Sequence, residues 1–191
     1  MGTKFFFSLL LFLAASAGLT AQEKQEQELR IAQEAVPEAA GAWLSEVFEG
    51  VRRVKWYAEE TSGRRSVEAK FKYERRHYSV EFSPTGELED VEIEVKMRQI
   101  PDSIQQRLTS TFQTLPKFKL RRIQEQWQGD KEGIKTALQG NLPEEVVVLY
   151  EIEFSAKMDG HYRIWEGTFN TEGRLLDYRQ VVLRPTTNLN Y

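Results

Sequence analysis

The feature that most restricts what this chain can fold into is a pattern written twice. Val36-Pro37-Glu38 recurs as Ile100-Pro101-Asp102, and at the same spacing Leu44, Phe48, Val51 and Val54 correspond to Leu108, Phe112, Leu115 and Phe118. Matched apolar positions at one offset predict two related units. Each opens as a helix, because proline suits the first helical turn and an acidic residue just after it favours the positive end of the helix dipole. Ala39, Trp43, Leu44, Val47, Phe48 and Val51 form one apolar stripe at the 3.6-residue period, and Ile104, Leu108, Thr111, Phe112 and Leu115 form the other. Gly50 and Pro116 stand where such residues stop a helix.

Strands follow each helix. Val54, Trp56 and Ala58 alternate with polar neighbours, as do Val67, Ala69, Phe71 and Tyr73, then Tyr78, Val80 and Phe82, and finally Val91, Ile93, Val95 and Met97. Period-two alternation predicts a sheet with one buried and one wet face. The second copy repeats the order with strands expected over 118–127, 146–155, 162–169 and 174–183. Ser83-Pro84-Thr85-Gly86 and Asn170-Thr171-Glu172-Gly173 supply matching turns, and Met158-Asp159-Gly160 marks a hairpin tip. The expected fold is α+β, with two tandem repeats over 36–97 and 98–184, each an N-terminal helix on one face of a four-stranded antiparallel sheet. Two departures mark the second copy: a Gly-rich insertion over 128–145, with a helical turn around 134–138, and Gly167 and Gln180 at inner-face positions. Units this small are marginal without disulfides, so the halves are expected to depend on each other.

The ends read differently. A basic start at Lys4, an apolar run from Phe5 to Ala15 and small residues before Gln22 have the three parts of a secretory signal peptide, with cleavage expected after Ala21. The run is too short for a membrane span, which needs about 20 apolar residues. Residues 22–35 are expected to start as a mobile polar leader, and 185–191 as a tail. Cysteine is absent, which removes disulfides, thiol nucleophiles and thiolate metal sites. A net charge of −3, one unit more acidic once Lys4 is removed, gives no reason to expect nucleic acid or membrane insertion.

Val67-Glu68-Ala69-Lys70-Phe71, Tyr78-Ser79-Val80-Glu81-Phe82 with Thr85-Gly86, Ile100-Pro101, and Tyr150-Glu151-Ile152-Glu153-Phe154 resemble exported bacterial PepSY-like proteins, which are related in fold to the beta-lactamase inhibitory protein. The resemblance covers about 36–182. It implies tandem helix-plus-sheet units with an open sheet face, and a binding or inhibitory role. The Ala21-Gln22 junction also resembles export signals of Bacteroidota, which implies a periplasm.

Local chemistry is sparse. No phosphate loop, Gly-x-Ser-x-Gly elbow or His-Glu-x-x-His helix is present. His77 and His161 follow hairpin tips without a partner ligand at metal spacing and read as exposed turn residues. Neither a cofactor nor a metal is expected, and no enzyme activity. Trp43, Trp56, Phe71, Phe82 and Phe169 follow the buried period. Trp127 falls out of phase with Phe118 and Leu120, and is expected either to be exposed or to staple the inserted loop.

The outward sheet face is the candidate surface. In the first half it carries Glu68, Lys70, Lys72, Ser79, Glu81, Glu92 and Glu94. In the second half it carries Val147, Leu149, Glu151, Ile164, Glu166 and Thr168, with three apolar residues pointing outward. The leading expectation is an exported, non-enzymatic module that contacts a protein or peptide through this face. One alternative is inhibition of a secreted hydrolase through the 128–145 loop. Another is carriage of a small apolar ligand at a gap left by Gly167 and Gln180.

Overall fold

A computed structural model of the chain describes residues 23–158 and 160–183. The expected signal peptide, the tail and Asp159 lie outside the described residues.

The chain begins with a strand, β1 (Glu23–Ile31). A short 3-10 turn (Gln33–Ala35) leads through Pro37 into α1 (Glu38–Val47). Four strands follow: β2 (Lys55–Thr61), β3 (Arg64–Tyr73), β4 (Arg76–Phe82) and β5 (Leu88–Glu94). A second 3-10 turn (Met97–Gln99) leads through Pro101 into α2 (Asp102–Gln113). Then come β6 (Lys119–Gln128), α3 (Lys131–Leu138), β7 (Val147–Met158), β8 (His161–Asn170) and β9 (Leu175–Leu183).

The fold is α+β, but the strands do not form two sheets of four. All nine make one sheet in chain order, because β5 pairs antiparallel with β6 across Val91↔Trp127 to Glu94↔Gln124. Every sequential pair is antiparallel, and β1 closes the sheet by pairing parallel with β9. The expected mobile leader is thus a structural strand. Its polar composition follows from position: Glu28 reaches inward to the Lys70 ammonium, while its neighbour Leu29 lies on the outer surface.

Helices cover the outer face only. Under α1, Trp43, Leu44 and Phe48 pack on Trp56, Phe71, Tyr78, Val80 and Phe82. Phe48 is the hub, its ring centroid 4.8 Å from Phe71, 5.1 Å from Tyr78 and 5.4 Å from Tyr73. Under α2, Ile104, Leu108 and Phe112 pack on Ile123, Ile152, Phe154 and Phe169. Each fully buried large side chain is worth about 1.5–3 kcal/mol relative to exposure, so these two clusters carry most of the fold. Two glycines seat the helices. Gly86 (φ 87°) and Gly173 (φ 76°) adopt the left-handed conformation that glycine tolerates, and both turns press on a helix. A Cβ on Gly86 would stand 3.0 Å from Ala39 Cβ, and one on Gly173 would stand 3.1 Å from Arg107 Cβ.

The insertion holds a helix of two turns, α3, which extends the helical turn expected around 134–138 back to Lys131. Asp130 caps it by accepting from the Gly133 amide at 2.7 Å. Its Ile134 and Ala137 are buried in the cluster beneath α1, not the one beneath α2. Lys131 pairs with Glu87 at 3.1 Å, and Lys135 pairs with Glu46 of α1.

Trp127 faces the same cluster. A bulge between Leu120 and Arg122 shifts the register of β6 against β7, so Ile123, Glu125 and Trp127 share the face that Leu120 holds before the bulge. The phase mismatch in the sequence is the bulge, and Trp127 is half-buried core. No gap stands at Gly167. A Cβ there would meet Phe169 Cε2 at 3.0 Å and Leu175 Cδ1 at 3.3 Å, so side chains already fill the space. Gln180 accepts from Arg163 Nη1 at 2.9 Å. The expected apolar gap is therefore corrected to packed core.

Candidate functional site

Closing the sheet turns the face opposite the helices into the wall of a hollow. Register brings Tyr57, Glu68, Glu81 and Asp90 into one row across β2 to β5, and Gln124, Glu151, Thr168 and Asp177 into another across β6 to β9. Glu68, Ser79, Asp90, Gln124, Glu151 and Glu166 are all buried. The open, wet sheet face expected from alternation is corrected to an inward one. Alternation reports which residues share a face, and curvature decides whether that face meets bulk water.

The hollow is acidic at its centre. A space of about 230 Å³ is lined by eight carboxylates (Glu28, Glu59, Glu68, Glu81, Asp90, Glu92, Glu151 and Glu153) against two cations, Lys70 and Arg122. Lys70 is the resident counter-ion. Its ammonium lies 2.8 Å from Glu68, pairs with Glu28, and sits 5.3 Å from the centre of the Tyr57 ring. Burial opposes its charge, but the Glu68 and Glu28 carboxylates outweigh burial and hold the group above its ordinary range. Glu28, Glu59 and Glu68 bring carboxylate oxygens within 4.8 Å of one another, and Lys70 already stands among them.

Asp90 sits differently. Burial, then the Glu81 and Glu151 carboxylates, push it well above the usual carboxylate range, although Gln126 donates to it at 3.0 Å. On the second-half side Gln124 donates to Glu92 at 2.5 Å, and Arg121 donates to Glu153 at 2.5 Å.

The two ends of the hollow differ in charge. Toward the β2–β3 turn a space of about 530 Å³ is bordered by Glu59, Glu81, Asp90, Glu92, Glu151 and Asp177, with Arg64 and Arg179 as its cations. Arg64 is paired with Glu89 at 2.5 Å and Arg179 with Asp177 at 3.5 Å. Toward the β3–β4 turn a space of about 540 Å³ is bordered by seven cations (Arg52, Arg53, Lys55, Lys70, Lys72, Arg75 and Arg122) and His77, against the single carboxylate Glu94. Both spaces share lining residues with the central hollow, which is thus flanked by a basic mouth and an acidic one.

Left-handed backbone outside glycine occurs at both mouths, at Ser62 (φ 52°) in the β2–β3 turn of the acidic one and at three residues near the basic one. Arg53 (φ 60°) and Arg75 (φ 68°), with Glu74 (φ 46°), hold the left-handed conformation without being glycine. For such residues that conformation costs about 1–2 kcal/mol each.

Among the residues singled out from sequence, Glu68, Lys70, Glu81 and Glu151 line the hollow together, and Leu149, Glu151 and Thr168 border the acidic mouth. Glu166 is buried on the same wall opposite Glu153, and Ile164 lies opposite Val181. Val147 stands apart at the rim, 51% exposed. His77 is exposed and lies 3.6 Å from Glu94, and His161 is exposed at the β7–β8 hairpin. Sequence reasoning missed Asp90 and the basic mouth. The run Arg52-Arg53 with Lys55, and Arg75-Arg76, was the visible signal for the mouth.

No family model matches the chain, and no curated protein matches it. Solved structures do. A DUF2874 family protein from Bacteroides ovatus aligns with a TM-score of 0.53 at 12% identity, covering 76% of this chain and 88% of that one. A BLIP-like protein from Bacteroides fragilis aligns at 0.51 and 14% identity, covering 80% and 92%. A provisionally periplasmic protein from Bacteroides eggerthii aligns at 0.51 and 11% identity, covering 76% and 88%. The chain thus shares the BLIP-like fold. At these identities the likeness speaks for fold alone. Among the described residues no helix is long and apolar enough to cross a membrane.

Proposed function

We propose that the chain is an exported, non-enzymatic binding module that receives an extended peptide segment carrying basic side chains in the hollow of its sheet. The supporting observation is the eight-to-two excess of carboxylates over cations around one central space. Three of the eight, Glu68, Asp90 and Glu151, are buried, and like charges held this close cost folding free energy that a cationic guest would offset. The inward curl favours a narrow guest over a folded domain, whose surface would not reach Glu68 or Glu151. Export rests on the secretory pattern of the first residues and on likeness to a provisionally periplasmic protein.

Descent from tandem PepSY-like units belongs to the same reading. It is supported by the paired order of 3-10 turn, proline, helix and four strands, and by the two glycine turns that seat on α1 and α2. A role as companion of a secreted hydrolase is the second reading. It draws on the BLIP-like likeness and on Leu142 and Val147, exposed at 54% and 51% on either side of the 143–146 connector.

Calorimetric titration of the mature chain with a tetra-lysine peptide and with a tetra-glutamate peptide tests the leading reading. The lysine peptide is expected to bind, and Glu81→Gln with Glu151→Gln is expected to weaken it about tenfold or more, the range for losing charge-assisted hydrogen bonds. Equal heats from the two peptides, or a double variant that binds as the parent does, would remove the hollow as the peptide site.

A further inference from the structure

The hollow's acidic lining does not account for the charge at its β3–β4 end. There Arg52, Arg53, Lys55, Lys72 and Arg75 border a space of about 540 Å³, and among the described residues none of these five is ion-paired with a carboxylate. Arg122 adds a sixth cation, held at 3.9 Å from Glu153 by one corner of its guanidinium. Five uncompensated cations round one concavity repel each other, and the chain is acidic overall, so the segregation is not a by-product of composition. Two of the five, Arg53 and Arg75, stand in left-handed backbone that glycine would adopt freely. Both arginines border the same mouth, so both can be exchanged for glycine without new backbone strain.

We propose that this basic mouth is a binding site for a small anion bearing two or more phosphate groups. Guanidinium forks match phosphate oxygens two at a time, and lysine ammoniums add point charge without demanding geometry. A phosphate monoester carries up to about two negative charges, so a diphosphorylated molecule brings enough charge to neutralise four or five cations in a space of this size, whereas a monocarboxylate does not. The space is within the range of small-molecule sites and far larger than one phosphate needs, which leaves room for a sugar or similar body between the phosphates. Glu94, the single carboxylate at the mouth, lies beside His77 at its edge. The acidic hollow beyond repels the anion and holds it at the opening.

The strained arginines make the test unusually clean. In Arg53→Gly with Arg75→Gly, the new residues fit their backbone, so the double variant is expected to melt at a higher temperature than the parent when no anion is present. Titration with pyrophosphate should show binding to the parent that falls about tenfold or more in the double variant and weakens as salt is raised. Citrate, matched in charge but built of carboxylates, should bind more weakly than pyrophosphate. Co-sedimentation with phosphatidic acid vesicles separates the sources: parent-only sedimentation assigns the phosphate to a lipid headgroup, and binding of free pyrophosphate without sedimentation assigns it to a soluble molecule. A double variant that melts higher yet binds pyrophosphate as the parent does would overturn the proposal, and so would a parent that binds neither pyrophosphate nor the vesicles. The tetra-lysine titration is unaffected by either result, so failure here leaves the peptide reading standing.

Discussion

The two faces of the single sheet are both buried, and for opposite reasons. On the outer face Phe82, Val80, Ile152 and Phe169 lose water to three helices, and each square ångström removed stabilises the fold. On the inner face Glu68, Asp90, Glu151 and Glu166 lose water because the sheet closes on itself, and a buried carboxylate costs free energy where like charges face it, as Glu81 and Glu151 face Asp90. Glu68 is compensated by Lys70, whereas Asp90 costs the fold part of the stability that the outer face supplies. Substitutions in the outer core and at Asp90 should move stability in opposite directions, which gives the contrast a way to fail.

The largest effect is expected on the outer face, at the helix that the insertion contributes. Ile134 is fully buried, and it lies in the cluster under α1 although it comes from the chain's second half. Ile134→Ala should cost about 2–5 kcal/mol, read as a shift in the urea midpoint. The same joint packing makes the first half unable to keep its full core without residues 131–146. A cost under about 1 kcal/mol would make α3 a surface ornament, and would leave the first cluster complete without it.

Gly167→Ala comes next. The added methyl would stand 3.0 Å from the ring of Phe169, which is 1% exposed. Overpacking of this kind costs about 1–3 kcal/mol. A variant as stable as the parent would reveal slack in the second cluster, and with it the apolar gap that the structure otherwise denies.

Much of the outer face was legible in the sequence, and much of the inner face was not. The apolar stripes of 39–51 and 104–115 announce α1 and α2, and the alternation of 67–73, 78–82 and 91–97 announces strands, because helix and strand periods are local properties. Closure is not local. Pairing of Val91 with Trp127, or of Gln25 with Val182, joins residues far apart in sequence, and nothing in either segment names its partner. Glu68, Lys70, Glu81 and Glu151 line one space, and their alternation places them on one face. Whether that face was wet depended on the pairing that closes the sheet. Trp127 shows the same limit on a smaller scale, since one bulged residue in β6 inverts the phase of everything after it.

The smallest effect is expected on the inner face and has the opposite sign. Asp90 is buried beside Glu81 and Glu151, and its carboxyl keeps its proton to a higher pH in the folded chain than in the unfolded one. For a group shifted in that direction, the contribution to stability is intact at acid pH, below the unfolded carboxylate range near pH 4, and is lost as pH rises through the folded range. Asp90→Asn keeps the shape and an acceptor for Gln126, and it cannot ionise. The variant should therefore match the parent near pH 4 and melt a few degrees above it at neutral pH, at about 2–4 °C per kcal/mol for a chain of this size. The gain should grow with pH, which separates it from any general improvement in packing. If Asp90→Asn instead melted lower at neutral pH, the carboxylate would be compensated within the hollow, and the inner wall would stabilise the fold as the outer one does.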